Sequence, residues 1–203
     1  VGTINLNNFS FDYQQYTWAN RPTKALTGSF ICITDIGPSD EIFRWNGTRW
    51  APMNGSILLA QTGVRVDLTG TTTTTTLASV TVPGGLMSAN GILEVHSFWS
   101  YPNNANNKTI YVKYSGTGGT SFLGRTETTT VINQSITLIR NTNSTSAQIG
   151  SNGGLAGGVG VGTGATITNT VNTASDSTIS IMGALGVSTD TISLYGYRII
   201  YRE

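Results

Sequence analysis

Ile110-Tyr111-Val112-Lys113-Tyr114 and Ile136-Thr137-Leu138-Ile139-Arg140 decide how the chain is read. In an extended strand, alternate residues share a face. Ile110, Val112 and Tyr114 then lie on one side and Lys113 on the other. Ile136 and Leu138 share a face that ends in Arg140. This is the period of a half-buried β-strand. Helix spacing is missing over any ten residues, while β-branched residues and Gly dominate. Working outward from these two segments, further strands are expected at 57–60, 63–68, 75–82, 91–99, 119–125, 145–150, 165–172, 177–185 and 190–202. The expected class is all-β, with residues 55–203 forming a jelly-roll-like antiparallel β-sandwich, the head domain.

Upstream of the sandwich the character changes. Residues 28–54 are expected to form a small β-meander, a neck or collar, with strands at Ser29–Ile33, Glu41–Trp45 and Thr48–Ala51. Asn46-Gly47 supplies a strong hairpin signal. Residues 1–27 carry Phe9, Phe11, Tyr13, Tyr16 and Trp18 without a clear period, and Pro22 forces Arg21 out of the helical region. An extended aromatic-rich arm is expected there. A three-stranded unit of this size buries little by itself, so it must pack on a neighbour: the next domain or another copy of the chain. Pro52-Met53-Asn54-Gly55 marks the boundary.

Composition narrows the chemistry. Of 203 residues only 10% are charged, with 11 basic, 10 acidic and a net charge of +1. That excludes a strongly basic nucleic-acid groove and a strongly acidic tail. One His and one Cys leave no disulfide framework and no multi-Cys metal site. No apolar run reaches the roughly 18 residues of a membrane helix, so no membrane insertion is expected. No basic region followed by an apolar run marks a signal peptide. A chain that starts at Val1 is expected to be a piece of a longer polypeptide.

Several segments carry candidate chemistry. Gly150–Gly164 is Gly-rich, but neither a helix nor a phosphate-binding Lys follows it, so no phosphate cradle is expected. Glu94 and His96 share a strand face, and the expected role is a hydrogen-bonded surface His; only a threefold axis would multiply them into a metal site. Asp35, Asp40 and Glu41 cluster around a turn, and Glu94, Glu127, Asp176 and Asp190 are isolated. They do not form the tuned pair that a glycosidase needs. No catalytic residue, cofactor or metal is therefore expected. The segment Phe98-Trp99-Ser100-Tyr101-Pro102-Asn103-Asn104-Ala105-Asn106-Asn107 combines rings with amides, the groups that stack on sugars and bond their hydroxyls. A glycan site at Trp99, Tyr101, Asn103, Asn104, Asn106 and Asn107 is one expectation, beside a plainer reading, a core Trp99 followed by an Asn-rich turn.

Thr27–Gly37, followed by Phe43-Arg44-Trp45-Asn46-Gly47-Thr48-Arg49-Trp50-Ala51-Pro52, resembles the W-N-G-x-x-W module of tailed-bacteriophage tail fibres and tailspikes. Asp176–Ile181 with Asp190–Tyr197 is similar to the closing hairpin of their C-terminal β-sandwich heads. The two matches cover about a third of the chain. The resemblance implies a homotrimeric, receptor-binding tail-fibre tip, a virion protein acting at the host cell surface. It would adsorb to a host polysaccharide or lipopolysaccharide and join other tail or baseplate proteins through sequence upstream. Residues 1–54 are expected to make most trimer contacts. Repeated β-helix coils and paired carboxylates of depolymerase tailspikes are missing from this sequence, which favours binding without cleavage. The alternatives are a structural trimerisation or capping domain with receptor binding elsewhere and, behind it, a glycan depolymerase fragment.

Overall fold

The computed structural model describes residues 14–151 and 166–203. Phe9, Phe11 and Tyr13 of the expected arm, and nearly all of the Gly-rich segment, lie outside the described residues. The chain divides into two compact units, Val1–Met53 and Asn54–Glu203. Among the described residues no helix is long and apolar enough to cross a membrane.

The first unit is a four-stranded sheet ordered β1 (Gln15–Tyr16), β2 (Phe30–Ile33), β3 (Glu41–Trp45) and β4 (Trp50–Pro52). The segment read as an extended arm is partly stitched into the meander: Gln15 and Tyr16 pair in parallel with Cys32 and Ile33. Trp18 is buried by its own chain, its ring 5.2 Å from that of Phe43. Its covering does not require a second copy. Trp45 and Trp50 pair directly across the hairpin, with rings 5.3 Å apart and close to edge-on. Between them Asn46 Oδ1 accepts from the backbone N–H of Thr48 and Arg49 at 3.0 Å each. Gly47 sits at φ +102°, a conformation that favours glycine. The returning strand starts at Trp50, not Thr48, because the Asx turn spans four residues.

The second unit is a jelly-roll-like sandwich. Its strands are β5 (Ser56–Thr62), β6 (Val66–Leu68), β7 (Thr75–Val82), β8 (Ile92–Ser100), β9 (Lys108–Tyr114) and β10 (Thr120–Glu127). They continue as β11 (Ile132–Asn141), β12 (Gln148–Ser151), β13 (Thr166–Asn169), β14 (Ser177–Leu185) and β15 (Ile192–Arg202). One sheet has the order β10-β9-β14-β7. The larger one runs β13-β12-β11-β8-β15-β5, with β6 also paired to β15. All these pairings are antiparallel. Ile110, Val112 and Tyr114 point inward, as their spacing predicts, and meet the core of Leu93, Val95, Trp99, Phe122, Ile179, Ile199 and Tyr201.

The inner face of strand β11 is mostly polar, with Ile139 its one fully buried apolar residue. Asn133, Ser135, Thr137 and Asn141 are buried, while Ile132, Gln134, Ile136, Leu138 and Arg140 occupy the outer face. Several of these buried polar groups persist because partners come with them. Ser135 Oγ lies 2.8 Å from Ser97 Oγ. Asn141 Nδ2 donates to the Ser88 carbonyl at 2.6 Å, and Gln148 Nε2 donates to Asn141 Oδ1 at 2.8 Å. Ile136 and Leu138 therefore share a face, but it is the outer one.

Candidate functional site

The Asn-rich segment is built around a cation. Lys108 is fully buried, and its parity with Ile110 points it inward. An ammonium taken out of water needs acceptors. Its Nζ donates to the carbonyls of Pro102 (3.1 Å), Asn104 (3.3 Å) and Thr128 (2.5 Å), and to Asn104 Oδ1 (2.7 Å). Asn104 Nδ2 donates in turn to Asp190 Oδ1 at 2.8 Å, while its Oδ1 also accepts from the Asn106 N–H at 3.0 Å. The Asn104 amide is fully engaged inside the fold.

The rings are engaged too. Trp99 is 0% exposed, with its indole N–H donating to Ser97 Oγ at 2.8 Å, and Tyr101 is 4% exposed. Burial, with the Glu127 charge adding, pushes the Tyr101 phenol well above its usual range. Neither ring offers a face to a sugar, so the stacking platform expected at Trp99 and Tyr101 gives way to the plainer reading of core ring and turn. Asn103 and Asn107 remain exposed and Asn106 is half-buried, but the two rings expected to complete the site, Trp99 and Tyr101, are buried.

The outer face of the larger sheet brings together groups that the sequence reading passed over. Strand register sets Arg198, His96 and Ile136 side by side, with Gly196, Phe98 and Gln134 in the next row. Both rows open into a shallow depression of about 170 Å³ lined by His96, Phe98, Gln134, Gly196, Tyr197 and Arg198. Phe98 is 39% exposed and meets Tyr195 edge-on at 5.9 Å. Arg65 lies over the Tyr195 ring, 5.1 Å from its centroid, and bonds Asp67 at 2.6 Å. That bond, with a second from Ser193, holds the Asp67 carboxyl below the usual range. Gly196 is set by the close passage of the Thr62 backbone: a Cβ there would stand 2.6 Å from the Thr62 carbonyl oxygen. Phe98 was legible as the residue of opposite parity to Trp99. The irregularity between Leu194 and Gly196, which sets Tyr195 beside Phe98, carries no sequence signal.

Glu94 and His96 share this outer face as read from the sequence, with His96 Nε2 3.5 Å from Glu94 Oε2. Arg202 Nε bonds the other Glu94 oxygen at 2.8 Å. Among the described residues, no group of three or more His, Cys, Asp or Glu side chains is placed to hold a metal ion. Other carboxylates are tied locally. Glu127 pairs with Arg125 and accepts from Asn133, Asp176 accepts from the Gly84 N–H at 2.7 Å, and Asp35 from the Trp18 N–H at 2.7 Å.

No protein-family model matches the chain, and no curated protein matches it. Among solved structures it is similar to the infectious bursal disease virus VP2 subviral particle, with 11% identity and a TM-score of 0.31. That likeness covers 73% of this chain and 32% of the other. The structure of the Gx strain of the same virus gives 12% identity and a TM-score of 0.25, over 72% of this chain and 40% of the other. The chain thus spans well under half the length of either protein, and likenesses of this strength decide nothing about what it does.

Proposed function

We propose that the chain is a tail-fibre head of a tailed phage, a virion component that adsorbs as a homotrimer to a host-surface polysaccharide or lipopolysaccharide and does not cleave it. The sequence resemblance supplies the class. The observation that carries the binding reading is the open depression on the outer sheet face, where an exposed ring, an amide and a guanidinium converge on a rigid β-scaffold. These are the groups a saccharide requires: an apolar surface for its C–H face, and donors and acceptors for its hydroxyls. The local engagement of Glu127, Asp176, Asp190 and Asp35 favours adsorption over hydrolysis, since a glycosidase needs two carboxylates free to flank one bond. Catalytic residues and a cofactor have no place in this reading.

A structural trimerisation or capping role is the second reading, and β11 favours it. Ile132 is 60% exposed, and Ile136 and Leu138 stand outward beside it. Such a row is what a neighbouring copy would cover. The two readings separate when the chain is applied to immobilised bacterial polysaccharides and lipopolysaccharides, with released reducing ends measured in parallel. Retention without release is the expected result. No retention by a stable oligomer points to the structural role, and release of reducing ends overturns the non-cleaving head.

A further inference from the structure

We propose that the depression between β8 and β15 takes an acidic sugar, a carboxylate-bearing residue of an anionic polysaccharide, with Arg198 meeting the carboxylate and Phe98 underlying the ring; this deepens the adsorption reading and rests on it. Charge on this face is lopsided. Arg65, Arg140, Arg198 and Arg202 stand on or beside the outer face of the β6-β15-β8-β11 region, against the carboxylates Asp67 and Glu94. Both carboxylates are already neutralised by a bonded arginine, Asp67 by Arg65 and Glu94 by Arg202. Arg198 is exposed and carries no ion pair or hydrogen bond among the described residues. It lines the depression directly, with the His96 imidazole beside it and the Gln134 amide across the β8 strand.

A planar guanidinium without a partner is suited to bidentate contact with a carboxylate. The adjoining Phe98 ring adds stacking area that a simple inorganic anion would not use. Neutral sugars would meet the guanidinium only through hydroxyl oxygens and leave its charge uncompensated. The volume of about 170 Å³ suits one sugar unit resting in a shallow seat, with the polymer running on across the sheet. Affinity for a long chain then comes from several such seats acting together.

The test compares binding of the full chain to immobilised polygalacturonate and alginate with binding to dextran and mannan, at fixed ionic strength. Three variants accompany it: Arg198→Gln, Phe98→Ala, and Arg140→Gln as a control on the same face outside the depression. Retention on the acidic polymers is expected, falling at least about tenfold for Arg198→Gln and Phe98→Ala and little for Arg140→Gln. Equal losses for Arg198→Gln and Arg140→Gln would mean diffuse attraction, and the site would be wrong. Binding to the neutral polymers alone overturns the acidic-sugar assignment while leaving the adsorption reading intact. Retention on none of the four polymers overturns this assignment; the adsorption reading fails separately, if the polysaccharides and lipopolysaccharides of bacterial surfaces are not retained either. Far-ultraviolet circular dichroism of each variant separates lost binding from lost fold.

Discussion

Tyr101 and Asn104, next to one another in the sequence reading as sugar contacts, behave oppositely as structural residues. The Tyr101 hydroxyl is buried with no hydrogen-bond partner among the described residues. Tyr101→Phe removes an unpaired polar atom and is expected to leave stability unchanged or raise it by up to about 1 kcal/mol, read from urea unfolding at pH 7. Asn104→Ala strips an acceptor from a buried ammonium and a donor from Asp190. A loss of about 1–3 kcal/mol is expected, against less than about 0.5 kcal/mol for the exposed Asn103→Ala. The phenols of Tyr101 and Tyr114 add a pH dependence. Burial raises both above the ordinary value of 10.0. Below that pH both are neutral, folded or unfolded, and their contribution is fully present. Above it the unfolded chain loses its protons first, so stability falls as pH rises towards the folded values. The unfolding midpoint should drop above pH 10, and drop less in Tyr101→Phe. Residue types alone pointed to the ring-and-amide segment; what they concealed was the burial of Lys108, although its parity with Ile110 was in plain view.

At the scale of elements, the hairpin between β3 and β4 depends on a single backbone conformation. Gly47→Ala places a Cβ at φ +102° and 3.3 Å from Thr27 Oγ1. It is expected to cost the first unit roughly 1–2 kcal/mol, visible as a lowered midpoint in the tryptophan fluorescence of Trp45 and Trp50. The β8 and β9 strands were readable because their inward residues are mostly large and apolar. In β11 the alternation gave the strand and its parity, but not which face was inside. Apolar residues occur at both parities, and the inward polar groups are accommodated by partners far away in sequence, such as Ser97 and Ser88. Thr137 is the exception: its Oγ1 is buried with no hydrogen-bond partner among the described residues. Thr137→Val should be neutral or stabilising, whereas Ser135→Ala should cost about 1 kcal/mol by breaking the hydroxyl pair with Ser97. Thermal unfolding of the two variants side by side reads the difference. The candidate site was less legible than the fold, since it is assembled across β8, β11 and β15 by register and by a bulge that no local pattern announces.

For the whole molecule, the proposal is a fibre head in which copies associate and the sheet face between β8 and β15 meets the host glycan. Ile132, Ile136 and Leu138 share their outward face with Gln134, which lines the depression, so a copy covering that row would close the glycan seat, and the row belongs to the structural reading. Ile136→Asp combined with Leu138→Asp should leave the trimer of a glycan-binding head intact, and weakened association with each copy still folded would favour the structural reading, because these side chains face away from the core. Trp18, already buried within its own unit, contributes stability to that unit in any oligomeric state. The most direct measurement is the mass of the unmodified chain by multi-angle light scattering at micromolar concentration. A mass three times the 21.5 kDa of one copy is the predicted result. A mass of 21.5 kDa across that range would contradict the trimeric head.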